Sequence, residues 1–292
     1  MSHPTPPSLE QVCDAALKLP CAPSLLPRLA QALQSDSTSA QQIERLITLD
    51  PSLAASTLRL ANSAAVSRGK VETVEEAVFR LGAREIYRLA ALALVGRWES
   101  TLGTGLRWGA GDFSRHALCT AIAAEVLAGT TERLDPQVAY TAGLVCDLGK
   151  LTLAHNCHDF YPAVRTCVEQ TKCTWEQGER SVLGYHHADA GVRLLRAWSF
   201  PKVFIQAVEH QFQPASAPAE ALPLVAHLHA AKYLAVSMGP GGLEEGFKTV
   251  VHGAFLKEWG FATETLEAAM PIVLERAQAR LGERLTVGAI TI

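Results

Sequence analysis

Ala142-Gly143-Leu144-Val145-Cys146-Asp147-Leu148-Gly149-Lys150 sets a cysteine, an aspartate and a lysine into small and apolar text near the middle of the chain. Upstream, Asp135-Pro136 supplies a helix N-cap and an N1 proline, so the spacing predicts one helix over Val138–Leu153 that carries the whole stretch. An aspartate in such surroundings needs a hydrogen-bonding partner, either a neighbouring histidine or a helix end. Imidazoles are available: His116 on a predicted helix over 113–128, and His187 and His210 near helix ends downstream. A metal site in a helical bundle needs imidazoles and carboxylates converging from several helices, and this scatter permits one without demonstrating it.

The text on either side is helical too. Of 292 residues, 45 are Ala and 38 Leu, both good helix formers. Asp50-Pro51 repeats the cap-and-proline device before an apolar stripe through Leu53, Thr57, Leu58 and Ala61. Thr73-x-x-Glu76 and Thr174-x-x-Gln177 read as capping boxes, and Gly82 as a helix stop. Asn62-Ser63 reads as a helix end closed by local side-chain hydrogen bonds. Further helices are predicted at 9–18, 24–34, 39–49, 187–198, 202–211, 222–237 and 263–281, with Arg284–Ile292 extended. The fold class is therefore all-α, a multi-helix bundle. The Gly-rich stretch Ser100–Asp112 is a candidate joint between two helical lobes.

Net charge is −3, from 26 basic and 29 acidic residues, which does not suit a dedicated nucleic-acid binder. The longest clean apolar run, Leu89–Gly96, is far too short for a membrane span, and no export signal is evident, so the expected location is cytoplasmic. Seven cysteines form no even framework and read as reduced thiols. His155-Asn156-Cys157-His158 with Cys167 and Cys173 matches no standard zinc spacing. No phosphate-binding loop, dinucleotide fingerprint or nucleophile elbow is present. Lys150 reads as a solvated lysine at a helix end, with phosphate contact as the sharper alternative. His186 reads as a solvent-side residue near a helix cap. His227 and His229 read as one buried and one exposed.

Taken together, Asp50-Pro51-x-Leu53-Ala54, Leu58–Ser63, Leu81-Gly82-x-x-Glu85-Ile86 and Ala142-Gly143-Leu144-x-x-Asp147-x-Gly149-Lys150 resemble the HDOD domain, the HD-related output domain of bacterial signalling proteins. The resemblance runs over about 17–238. It implies an HD-superfamily-like bundle, an N-terminal segment 1–16, and a helical tail 239–292 packed on the domain. In the related metal-dependent phosphohydrolases, a helical His, an adjacent His-Asp pair and a later Asp hold a divalent metal. Here His116 and Asp147 match, Cys146 stands at the histidine of the pair, and Gln211 follows His210. The late acid should fall near Ala226–Lys232, yet no Asp or Glu occurs between Glu220 and Glu244.

On that resemblance, His116, Cys146, Asp147, Lys150, His187, His210 and Gln211 form a vestigial metal site or ligand pocket with no catalytic residue and no cofactor. The implied function is a regulatory signal-transduction module that binds a signalling protein partner or a small ligand, with a homodimer open. The alternative is a phosphohydrolase of a nucleotide or cyclic nucleotide with a remodelled site. In the remodelled site Cys146 as thiolate, with His116, Asp147 and His187 or His210, would hold a single divalent metal such as Zn²⁺.

Overall fold

The computed structural model describes residues 5–19, 25–33, 40–62, 70–99, 107–239, 243–246 and 248–288. In chain order the helices are α1 (Leu9–Leu17), α2 (Leu26–Leu33), α3 (Ala40–Thr48), α4 (Pro51–Ala61), α5 (Val74–Leu81), α6 (Ala83–Glu99), α7 (Asp112–Thr131) and α8 (Pro136–Val145). They continue with α9 (Leu148–Asn156), α10 (Tyr161–Thr171), α11 (Trp175–Leu183), α12 (His187–Ala197), α13 (Lys202–Glu209), α14 (Leu222–Ser237), α15 (Gly253–Glu258) and α16 (Thr263–Gly288). No strand occurs among the described residues. The expected extended tail is instead helical through Gly288 as the end of α16, and residues 289–292 lie outside the described residues. Residues 100–106 of the expected joint, and Ser63 of the expected helix end, lie outside the described residues. No described helix is long and apolar enough to cross a membrane.

The chain divides into two compact units, one of Met1–Ala22 with Trp98–Ala277 and one of Pro23–Arg97 with Gln278–Ile292. In the smaller unit the caps read from sequence are formed. Asp50 accepts from the Leu53 amide at 3.2 Å and holds Arg97 with its other oxygen at 2.5 Å. Asn62 donates to the Val71 carbonyl at 2.8 Å and accepts from the Val71 amide at 2.7 Å, closing the end of α4 onto the chain before α5. The Thr73–Glu76 capping box starts α5, and Gly82, at φ +81°, stops it. Leu58 is only half-buried, packed beside a small cluster of Ala61, Val71 and Ala77.

The larger unit is built around α7, which is buried along most of its length and packs against α8 and α14. Its first turn is closed by Glu99, whose carboxylate accepts from the Phe113 amide at 2.9 Å and the Ser114 amide at 3.1 Å. The helix expected over Val138–Leu153 is in fact two, because the backbone leaves helical geometry at Asp147 (φ −108°, ψ 14°) and restarts as α9.

Two glycines flanking that break set the packing. A Cβ on Gly143 would lie 2.6 Å from the Ala121 Cα of α7, and one on Gly149 would lie 1.8 Å from the His187 carbonyl oxygen of α12. Helices therefore touch backbone to backbone on both sides of Asp147, and only hydrogen fits in the gap. Gly149→Ala is accordingly expected to destabilise by about 3 kcal/mol or more, as overpacking that a rigid carbonyl cannot relieve. Gly129→Ala, in the exposed last turns of α7 with open space around it, is expected to gain about 0.5–1 kcal/mol. Urea midpoints of the two variants against the parent chain check both.

Candidate functional site

The interruption between α8 and α9 turns Asp147 out of the helical hydrogen-bond pattern and into the interior of the larger unit, where its side chain is 2% exposed. Five polar side chains meet it or each other there. His116 of α7 approaches Asp147 Oδ2 with Nε2 at 2.6 Å. Lys150, one turn into α9, donates to the same oxygen at 3.1 Å. Lys232 of α14 donates to Oδ1 at 2.8 Å and to the Gln211 side-chain carbonyl at 2.6 Å. Lys150 also donates to Glu245, which enters from the turn after α14.

The cluster carries two carboxylates and two ammonium groups, with Asp147, Lys150 and Glu245 all buried. Burial raises the Asp147 pKa, but Lys150 and Lys232, followed by His116, outweigh it and hold the carboxyl well below its ordinary range. Burial likewise works against the Glu245 carboxylate, yet Lys150 and then His116 bring its pKa below the usual value. For Lys150, burial disfavours the charge and the two carboxylates more than restore it, so its pKa is raised. Each charge is sustained by the others.

Lys150 is therefore not the solvated helix-end residue expected from its position, because the packing of α9 on α12 directs it inward. The carboxylate expected near Ala226–Lys232 does come from elsewhere: Glu245 supplies it from beyond the stretch resembling the HDOD domain, and Lys232 stands where the acid was looked for. Together, His116, Asp147 and Glu245 offer three donor atoms within 4.8 Å of one another, a possible metal-binding triad, with the Lys150 ammonium bonded to both of its carboxylates.

The remaining candidates separate. Cys146 is buried, its thiol turned back onto the Gly143 carbonyl at 3.3 Å, and burial pushes its pKa up to about 12. Gln211 is buried and joins the cluster through Lys232 and, at 3.5 Å, the Cys146 carbonyl. His210 stays outside, bonded to Ser216 at 2.9 Å, and the group of donors close enough for one ion among the described residues is His116, Asp147 and Glu245, without Cys146. His187 is buried, with Nδ1 on Glu179 at 2.6 Å, and Glu179 also accepts from the His187 amide and the Trp175 indole. Its Nε2 is 3.7 Å from Asp147 Oδ1 and has no hydrogen-bond partner among the described residues. His186 caps α12, its side chain 13% exposed. Both His227 and His229 are buried, His229 because the segment before α15 covers it: the His252 amide donates to its Nε2 at 3.1 Å.

Three residues that bond the candidate site residues were not singled out in the sequence. Lys232 did leave a signal, being the single Lys, Arg, Asp or Glu in the sixteen residues of α14. Glu179 and Glu245 left none, since each lies among other charged residues in ordinary surface-like text. Beside the cluster, His116, Lys150, His187, Gln211, Lys232 and Glu245 face a pocket walled by Trp175, Phe212, Tyr233 and Val236. It has room for about 40 Å³ of solvent, or roughly three water molecules.

Comparison with known proteins places this geometry. The HDOD domain family matches the chain over residues 19–214. An HDOD domain protein of unknown function from Geobacter sulfurreducens has a similar structure, with 23% identity, 96% of this chain and 98% of that one covered, and a TM-score of 0.71. A Marinobacter aquaeolei VT8 protein carrying a signal-transduction name gives a TM-score of 0.74 at 22% identity; 98% of this chain matches, spanning 62% of that one. A Shewanella amazonensis SB2B protein carrying a phosphohydrolase name gives 0.66 at 22% identity, over 92% and 94% of the two chains. These likenesses establish the fold. No match was found among curated proteins.

The depressed carboxylate pKa values fix the sign of the acid response. Stability from Asp147 and Glu245 is present above the ordinary carboxylate range and is lost as pH falls through their lowered folded-state values. Asp147→Asn leaves Lys150 and Lys232 short of a counter-charge, so it is expected to cost about 3–5 kcal/mol at pH 7. The same variant should lose less stability than the parent between pH 5 and pH 3. Urea denaturation across that range measures both effects.

Proposed function

The chain belongs to the HDOD domain family, and from that membership we propose that it is a non-catalytic regulatory module of bacterial signal transduction, acting by binding a partner protein or a small ligand. One observation carries this reading: two lysine ammonium groups stand against the carboxylates that a divalent ion would need. Lys150 bonds both Asp147 and Glu245, and Lys232 bonds the second oxygen of Asp147.

Two ammonium groups supply the charge of one divalent cation, so the carboxylates of Asp147 and Glu245 are balanced without a metal. An ion at the triad would have to displace Lys150 and leave two positive charges uncompensated in a dry site. Mg²⁺ and Mn²⁺ also favour oxygen-rich shells with room for water, whereas the oxygens here are held by N–H donors. The arrangement does not fit a divalent ion, and we assign no cofactor. An ammonium group offers no open position at which a bound water could be ionised, so no hydrolytic step is assigned.

Protein prepared without chelator is expected to carry well under one equivalent of Zn, Fe or Mn by elemental analysis. It should also show no EDTA effect on its melting temperature and no turnover of cyclic or linear nucleotide phosphoesters. Stoichiometric metal with turnover would establish the phosphohydrolase instead. Cys146→His alone is not expected to confer tight Mn²⁺ binding, because both lysines remain. Lys232→Asp removes one ammonium and adds an acid, and should raise Mn²⁺ affinity by about tenfold or more, about 1.4 kcal/mol, in calorimetry.

A further inference from the structure

The two carboxylates on Lys150 have different origins. Asp147 is fixed where α8 and α9 meet, with helix backbones touching on either side of it. Glu245 reaches in from a turn beside Gly246, which takes a positive φ of +49°. The flanking residues are held by polar contacts: Glu244 on Arg165 at 2.5 Å and on the Arg107 amide at 2.9 Å, and the Lys248 carbonyl on the Trp175 amide at 2.8 Å. Further along, Val250 and Val251 are 47% and 42% exposed although they line the pocket. Among the described residues of 243–252 no hydrophobic side chain is buried, and the segment is held by the ion pairs of Glu244 and Glu245.

Without the Glu245 side chain, the helical part of the pocket would present Lys150 and Lys232 against Asp147 alone, a net positive charge in a buried setting. The unpartnered Nε2 of buried His187 faces the same space. The walls beside it are the rings of Trp175, Phe212 and Tyr233 and the side chain of Val236. A charge-assisted pair with a buried ammonium, flanked by apolar and aromatic surface, recognises a carboxylate on an apolar body.

We propose that the space around Lys150 now filled by Glu245 is a carboxylate-binding seat, and that its exchangeable ligand is a small organic acid with an apolar body. The proposal rests on the non-catalytic reading, since a metal at the triad would claim the same oxygens. Glu245 is tethered and so competes at high effective concentration. A free acid must add contacts with the aromatic wall to displace it, which excludes simple anions as ligands of the intact chain.

The test is chemical rescue of the full-length chain in buffer containing EDTA, so that its outcome does not depend on metal content. Glu245→Ala vacates the seat, and Glu245→Gln fills it with a neutral side chain. Acetate or formate should raise the melting temperature of Glu245→Ala saturably, by about 3 °C once it stands roughly tenfold above its dissociation constant. Chloride at equal ionic strength should not, and neither Glu245→Gln nor the parent chain should respond to acetate. Equal effects of acetate and chloride on Glu245→Ala would overturn the proposal, as would an acetate response of the same size in all three proteins. If Glu245→Ala does not fold in chloride, its refolding yield in acetate reads the same question: recovery supports the seat, and no recovery overturns it. Metal found in the parent chain would instead defeat the non-catalytic reading, leaving the rescue result to stand separately.

Discussion

Asp147 is an ionised carboxylate in a nearly dry interior, and what surrounds it is arranged around the cost of keeping it there. An unpaired carboxylate at that depth would protonate or unfold its surroundings. Three cationic or hydrogen-bonding side chains from three helices answer it instead, namely His116 from α7, Lys150 from α9 and Lys232 from α14. Lys150 then needs more counter-charge than Asp147 alone supplies, and Glu245 provides it. The packing follows from the same demand. Gly143 and Gly149 let α7 and α12 press against the chain on either side of Asp147, and that closeness puts the partners within reach.

The cluster also suggests how a metal-site scaffold can outlast a metal. A divalent ion and a pair of ammonium groups neutralise the same two carboxylates, so either can stabilise the same bundle. They differ in chemistry. A cation with an open position polarises water, whereas an ammonium group, saturated with its own hydrogens, can only donate them. On the reading proposed here, the scaffold keeps its electrostatic cement and gives up the Lewis acid, and the pocket beside it is left for recognition.

Much of the fold was legible along the chain. Caps at Asp50, Thr73, Asp135 and Thr174 act over two or three residues, so their partners can be read without knowing the fold. The break at Asp147 could not be read this way, because Cys146-Asp147-Leu148 contains no proline and its glycine comes two residues later. Buried ionic and backbone contacts from other helices set the chain direction there, and those are tertiary. Glu179 and Glu245 were silent for a related reason. Each meets its partner across long stretches of sequence or from another helix, and an acidic residue in polar text looks the same whether it ends in water or against Lys150.

The order of residues by itself determined that the chain is predominantly helical and that it carries the HDOD signature, and it singled out Asp147 and His116. These rest on local hydrogen bonding, on helical periodicity and on a short run of characteristic residues. Only the tertiary structure decided that Lys150 points inward, that Lys232 takes the place where an acid was sought, that Glu245 completes the balance, and that His210 and the Cys146 thiol stand aside. Charge compensation in a low-dielectric interior is settled by distances of a few ångströms between segments far apart in the chain, and linear spacing carries no record of those distances.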